Sequence, residues 1–360
     1  MIWKYEAKKI LKNPVIWGLV CFFLFINGFL MWTNLDGSLA EIRQVSQILA
    51  VEGVDVIDET YYEGLLAQYD TLDMMKIKDI KKELYNYQST GIFQEFIDSN
   101  YAKLQERVDE IKADGEADDM IYPGEVYRLH TKLYVKTLRP LLLEMGLLVM
   151  MCILFLMDYE RLNKTTDLVY SSNTGRAIQK KKWFCGLVSG LGFGAVLMLI
   201  TLGTWFLLIP YKGFWKSSIS AALATEPRGV FVYPFITYEK MTVLEYLIAS
   251  ILFCFVLLIV LGILTGAMQF LLKNSYFAVL AIVLFLFGAL YVNTISFGNA
   301  LDILFSWNLA YLWSSSGAWF MENNLFDSFQ GAQVLNAGVQ FVVFGFLWIF
   351  LYKKFQKEDC

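Results

Sequence analysis

The sequence predicts an all-α polytopic membrane protein: six transmembrane helices, with a large helical extracytoplasmic domain between the first and the second. Three observations carry this expectation. Apolar side chains make up 57% of the 360 residues and mean hydropathy is +0.48, more apolar surface than a soluble domain of this length can bury. Six apolar segments, 14–32, 140–157, 183–209, 243–272, 276–293 and 334–352, are long enough to cross a hydrocarbon core of about 30 Å. Lysine and arginine, finally, are unevenly divided among the stretches between them. Lipid offers no partner to backbone N–H and C=O groups, so a spanning segment is a helix or a strand of a closed barrel, and these segments are too long and too uniformly apolar for strands.

The basic residues set the expected orientation. With the amino terminus inside, residues 1–13, 158–182, 273–275 and 353–360 are cytoplasmic. They hold thirteen of the thirty Lys and Arg residues, fourteen with Lys182 at the membrane edge, in fewer than 50 positions. The other sixteen are spread over 33–139, 210–242 and 294–333, the last of which has none. Both termini are therefore expected inside a multi-pass cell-membrane protein. The net charge of −4 says little about partners, because charge is partitioned by side. A cleaved secretory signal competes for the first apolar run, which follows Lys4, Lys8, Lys9 and Lys12; the run is too long and aromatic for that, and an uncleaved anchor is expected. The five cysteines (21, 152, 185, 254, 360) fall in predicted spans or the tail, leaving no disulfide framework outside.

Between these anchors each element has its own signature. Residues 1–13 place Ile2, Trp3, Ala7, Ile10 and Leu11 on one helical face before Pro14, the pattern of an interfacial amphipathic helix; a merely solvated basic terminus is the alternative. The 33–139 region is acidic, 21 Asp or Glu against 12 Lys or Arg. Ile77, Ile80, Leu84 and Tyr87, then Ile97, Tyr101, Leu104, Val108 and Ile111, recur at helical spacing on either side of 89–91, which predicts an antiparallel helical hairpin. The 210–242 loop, with Pro210, Pro227 and Pro234, is expected to be irregular. The 294–333 loop carries Phe297, Leu301, Ile303, Leu304, Phe305, Trp307, Trp313, Trp319 and Phe320 without a basic residue, which predicts re-entrant or interfacial short helices, or else an aromatic-belt loop.

Chemistry is sparse. No G-x-x-x-x-G-K-[ST] phosphate loop occurs, so this chain is not expected to bind ATP in that way. The single histidine, His130, has neither a cysteine partner nor an H-E-x-x-H pattern, and reads as a surface or packing residue. No enzymatic pattern, cofactor, metal site or nucleic-acid feature stands out. Gly186, Gly190 and Gly194 in the third segment, and Gly262 and Gly266 in the fourth, are spaced four apart, as close helix approach in lipid requires. Glu144 and Glu245, with Asn27 and Gln269 as weaker candidates, are polar groups near or within hydrocarbon; they line a translocation path or reach headgroup water.

The 158–182 loop is the most informative stretch. It begins acidic, passes through a short amphipathic run, and ends in a Ser-Ser-x-x-Gly-Arg turn and three lysines. Together with Glu6 to Pro14 (EAKKILKNP) before the first span, the string Glu160, Thr165, Thr166, Leu168, Ser171, Ser172, Gly175, Arg176 and Lys180 between spans two and three resembles the ABC-2 type permeases, the membrane-spanning subunits of ATP-binding cassette transporters. The resemblance covers nearly all the membrane part and leaves out 33–139. It implies that this loop is a coupling helix fitting a cleft on a separate ATPase subunit. Glu160 and Arg176 would then pair with charges there, Leu168 and Tyr170 would fill the cleft, and the lysines from Lys180 would hold the loop at anionic headgroups. It further implies a second permease copy or related chain, and export of a lipid, amphipathic peptide or antibiotic. Against it stands a non-transporting membrane scaffold or sensor acting through the helical outer domain; simple topology enforcement is the competing explanation of the loop's charges.

Overall fold

The computed structural model describes residues 2–35, 39–40, 43–44, 67–84, 86–87, 91–116, 128–171, 175–209, 211, 214–221, 234–293, 295, 301–325 and 327–357. Six helices are long and apolar enough to cross a membrane: Pro14–Leu35, Thr131–Met157, Gly175–Leu208, Val243–Leu272, Ser275–Val292 and Ala332–Lys357, spans 1 to 6 below. Among the described residues no strand forms, and β pairing is confined to single bridges, Ser218 with Thr242 and Thr237 with Met321. The fold class is that of an all-α multi-pass membrane protein.

Contacts sort the connections between two ends of the bundle. At the terminal end, the first helix Ile2–Leu11 meets the 158–182 loop through Lys9 and Glu160, Ser275 at the start of span 5 donates to Asp158, and Arg176 reaches the Phe355 carbonyl of span 6. At the opposite, hairpin end, residues 69–116 bond to 218–240 and to 322–328. This alternation is what six successive crossings demand.

Span 2 begins earlier than its sequence indicates. Pro140 marks a helix start, since proline lacks an N–H and its ring crowds the carbonyl four residues back. The helix nevertheless runs through it. Thr131–Leu138 winds as a π-helix continuous with Arg139–Met157, a wider turn that makes room for the proline ring, and Thr137 donates its hydroxyl to the Lys132 carbonyl at 2.9 Å. Span 6 likewise continues to Lys357 through what reads as a basic tail.

Span 2 is the axis of the bundle: 72% of its apolar 18-residue stretch is buried, against 11% of the corresponding stretch of span 5. Its closest neighbour is span 3, where glycine permits backbone contact. A Cβ at Gly186 would lie 2.6 Å from the Ile153 Cα, and one at Gly190 would lie 2.6 Å from the Val149 Cα. Gly194 faces the Met145 side chain and Gly262 faces Leu187. Gly266 leaves space for the indoles of Trp183 and Trp348, 4.7 Å apart, which tie spans 3, 4 and 6 together; Trp183 also donates to the Gly262 carbonyl at 2.9 Å.

Helices Met74–Leu84 and Ile92–Ala113 form the hairpin. They run antiparallel: Met74 pairs with Gln105, Lys78 with Asp98 and Lys82 with Gln94. The longer helix buries Ile97, Tyr101, Leu104, Val108 and Ile111, the stripe its spacing indicates. The shorter one does not: Ile80 and Leu84 are 50% and 54% exposed, and the buried face is Met74, Ile77, Lys78 and Lys81. Lysine stems cover apolar surface while their ammonium groups find carboxylates. Lys81 meets Glu322 in a pair sealed from solvent, which Tyr101 completes with a hydroxyl donated to Glu322 at 3.1 Å. Arg107 holds Glu116 with two bonds of 2.9 Å and also reaches the Thr237 carbonyl at 3.2 Å. Helices Leu301–Ser306 and Leu309–Ser314 lie in the stretch between spans 5 and 6. Phe297 falls outside the described residues, as do 117–127 and most of 36–66.

Close packing at Gly190 has a built-in control. Gly190→Val should destabilise the detergent-solubilised protein by about 1–3 kcal/mol or more, because the added carbons meet span 2 backbone, whereas Gly192→Val, with nothing within 4 Å, should leave the thermal midpoint unchanged. Equal midpoints would refute this packing. At the hairpin end, burial raises the Asp327 carboxyl to about 6, with the Tyr311 hydroxyl donating to it at 2.5 Å and Glu322 and Lys81 close by. A carboxyl that holds its proton more tightly when folded adds stability at low pH and loses it as pH rises from the ordinary value of about 3.9 through the folded value. Wild type should therefore lose stability relative to Asp327→Asn across that window. Parallel pH profiles of the two would contradict it.

Candidate coupling surface

The loop joining spans 2 and 3 is built from one-turn helices, Tyr159–Leu162 and Thr166–Tyr170, followed by the 3-10 turn Gly175–Ala177. Its short segments follow from its composition, since Asn163 and Lys164 break the first turn, with Lys164 at φ 56. Gly175, at φ 50, occupies a left-handed conformation that glycine adopts without strain.

Charge fixes this loop to the bundle. Lys182, at 0% exposure, places its ammonium on Glu160 and on the Leu156 carbonyl at 3.2 Å. Glu160 also receives Lys9 at 3.6 Å, and Lys9 bonds Glu6 at 2.9 Å while lying 4.2 Å over the Tyr159 ring. Beside this cluster Asp158 accepts from the Ser275 hydroxyl at 2.8 Å and pairs with Arg161. The loop is thereby bonded to the first helix, to span 3 and to the start of span 5. A buried ion pair contributes little net stability, but removing one partner strands a charge, typically at about 3–5 kcal/mol.

The residues the sequence singles out separate into inward and outward groups. Glu160 is turned inward and already paired. Arg176 is half-buried between the rings of Tyr170 (5.6 Å) and Phe355 (5.4 Å) and donates to the Phe355 carbonyl at 2.9 Å, so it binds the loop to span 6. Tyr170 accepts from Gln179 at 3.0 Å, and burial pushes its hydroxyl above its ordinary range. Thr165 and Thr166 are half-buried. The exposed group is Leu168, Ser171 and Lys180, with Leu168 at 75%; Leu162, which the sequence did not single out, is exposed as well. Ser172 lies outside the described residues. That Glu6, Lys9 and Asp158 brace the loop was not legible in the sequence, where the spacing of Glu6 and Lys9, three apart on a helix, is the available signal. Under the loop lies a cavity of about 180 Å³ between Thr166, Tyr170, Gln179, Gln269 and Phe355, toward the ends of spans 3, 4 and 6.

The polar residues expected along a path divide as well. Asn27 of span 1 donates to Glu144 of span 2 at 2.6 Å, both buried. Glu245 is elsewhere: exposed at the hairpin end, it completes a capping box with Thr242, whose backbone N–H it accepts at 2.8 Å. A local helix-start role accounts for a carboxylate there. His130 is buried, donates through Nε2 to the Gly317 carbonyl at 2.7 Å, and lies tilted against the rings of Phe235 and Tyr134. Among the described residues no group of three or more His, Cys, Asp or Glu is arranged to hold a metal ion.

The two groups in the loop respond differently to substitution. Lys182→Met should lower stability by about 3–5 kcal/mol, the double variant Glu160→Leu/Lys182→Met should recover most of that, and Leu168→Glu should leave the thermal midpoint unchanged. A Lys182→Met protein as stable as wild type would show that the pair does not fix the loop.

Comparison of the chain with family models, with curated proteins and with solved structures finds no match.

Proposed function

We propose that the chain is the permease subunit of an ATP-binding cassette exporter of the ABC-2 type, with a separate ATPase docking on residues 158–182. The single observation that carries this reading is the division within the loop: an exposed leucine, Leu168, on a segment whose Asp158, Glu160, Arg176 and Lys182 are bonded to the first helix and to spans 2, 3, 5 and 6. A solvated linker has no need of such anchorage, whereas a lever does.

Displacement of the loop by a closing ATPase would pass through Lys182 to span 3, through Asp158 to span 5 and through Arg176 to span 6. In this scheme Arg176 acts as a strut within the chain, and Leu168 and Leu162 are the apolar groups offered to the partner. The concentration of lysine and arginine at this end supports a cytoplasmic location for it and for both termini, in the cell membrane. The bonded Asn27 and Glu144, joining spans 1 and 2, are the polar groups available to a path shared with a second copy or a related chain. The cargo in this reading is a lipid, an amphipathic peptide or an antibiotic, and ATP is hydrolysed by the partner.

The rival reading, a scaffold or sensor working through the hairpin, has in its favour the sealed Lys81–Glu322 pair and the Arg107 bond to the Thr237 carbonyl, which join the hairpin to the loops beneath it. One experiment separates the two. Purification of the full chain from solubilised membranes of its host should bring down an ATPase with a G-x-x-x-x-G-K-[ST] loop. Leu168→Glu should cut the recovered ATPase by about tenfold, the loss of one apolar anchor in a cleft, while Lys181→Ala should change it by less than about twofold. No ATPase with the wild-type chain, or full recovery with Leu168→Glu, overturns the transport reading.

A further inference from the structure

Arg139 opens the α-helical part of span 2 and is only partly exposed. Its Nε donates to the Ser316 hydroxyl at 3.1 Å. The two terminal nitrogens of the guanidinium form no hydrogen bond and no ion pair among the described residues. Glu144, further along the same span, is engaged by Asn27 instead. A guanidinium is always charged and presents five donors, so a half-buried one without a counter-ion is a standing demand for an anion.

Next to it lies an apolar cleft of about 160 Å³ between spans 2, 4 and 5, walled by Leu142, Met150, Leu261, Phe287, Leu290 and Trp313. Leu142 and Leu143 stand three and four residues beyond Arg139, so the charge and the cleft share one face of the helix. Trp313 lines the cleft, and its indole donates to the Arg139 carbonyl at 2.9 Å, which sets Arg139 beside the cleft at its hairpin end. From Leu142 to Met150 the wall extends roughly 12 Å along the helix at 1.5 Å per residue. The cleft opens sideways past Leu143 and Phe287, 50% and 66% exposed on the apolar belt, so an occupant enters from the bilayer.

A cation at one end of an apolar slot that opens to lipid matches one chemistry, an amphiphile with an anionic head. We propose that this cleft binds an anionic phospholipid of the leaflet at the hairpin end, its phosphate against Arg139 and one acyl chain between spans 2, 4 and 5. Basic groups between spanning helices are suited to phosphate headgroups, and the bidentate fork of arginine fits phosphate oxygens. Ser316 holds Nε and thereby directs the remaining nitrogens.

The test is native mass spectrometry of the full chain in detergent containing equal amounts of phosphatidylglycerol and phosphatidylcholine with matched chains. Wild type should retain phosphatidylglycerol about tenfold over phosphatidylcholine, as a charge-assisted contact provides. Arg139→Gln should bring the two lipids to parity, and Arg139→Lys should keep the preference. Val283→Trp, which fills the cleft without touching Arg139, should lower the binding of both. Inorganic phosphate should not displace the lipid. Parity in wild type, an unchanged preference in Arg139→Gln, full binding in Val283→Trp, or displacement by inorganic phosphate each overturns the proposal, and Val283→Trp decides the matter even if Arg139→Gln does not fold. No ATPase or nucleotide takes part, so failure here is distinct from failure of the transport reading.

Discussion

A lysine with no solvent exposure, at the edge of an apolar bundle, keeps its charge only if a carboxylate is brought to it. Lys182 and Glu160 impose that condition on the terminal end of this protein. Once they meet, the turn after span 2 is folded back against span 3, Lys9 is drawn in as a second cation, and the first helix is laid across the bundle with Glu6 balancing the charge. The pair adds little net stability over an apolar substitute, because desolvation offsets most of the attraction. What it does supply is registry: few other arrangements of this loop leave neither charge stranded.

The hairpin end follows the same logic with different parts. Lys81 and Glu322 are buried together and join the hairpin to the stretch between spans 5 and 6, while Arg107 and Glu116 are paired within the hairpin segment, Arg107 also reaching the Thr237 carbonyl between spans 3 and 4. Ser218 donates to Glu116 at 2.9 Å and Tyr69 donates to the Ser220 carbonyl, extending the contact to the stretch between spans 3 and 4. The hairpin is therefore seated on the bundle. Between the two charged ends, the apolar middle relies on close approach: glycine where spans 2 and 3 touch, and paired indoles where spans 3, 4 and 6 converge. Lipid gives helices no hydrophobic reason to associate, so this fit has to come from packing.

Arg139 is the exception that makes the rule informative. Every other buried or half-buried cation discussed above is matched by a carboxylate or a carbonyl, whereas its terminal nitrogens have no such partner among the described residues, and its own carbonyl is bonded by Trp313, which lines an apolar cleft. Glu245 shows the reverse: a carboxylate at a membrane edge that looks functional until its bonds to Thr242 place it in a helix cap. Position along an apolar segment is a poor guide to the role of a charge, because the partner that explains it sits on another segment or one turn away.

The sequence by itself determined the number of spans, the helical class, the stripe of the longer hairpin helix and the glycine spacing, because each depends on local composition and on a period of 3.6 residues, and the hydrocarbon thickness admits no other solution. It also marked the 158–182 loop as the stretch where charge and apolar residues alternate. It did not reveal which loop residues turn inward. Glu160 and Arg176 read as partner-facing charges, and only the tertiary structure decided that they are internal braces and that Leu168 is the exposed one. It likewise decided that Lys78 and Lys81, not Ile80 and Leu84, face inward on the shorter hairpin helix, and that span 2 runs through Pro140. Those outcomes depend on groups far apart in the chain: Glu322 lies 241 residues from Lys81 and Phe355 lies 179 from Arg176. Periodicity records which face of a helix is apolar, but the pairing of a buried charge is set by whichever distant carboxylate or carbonyl the fold brings within about 3 Å.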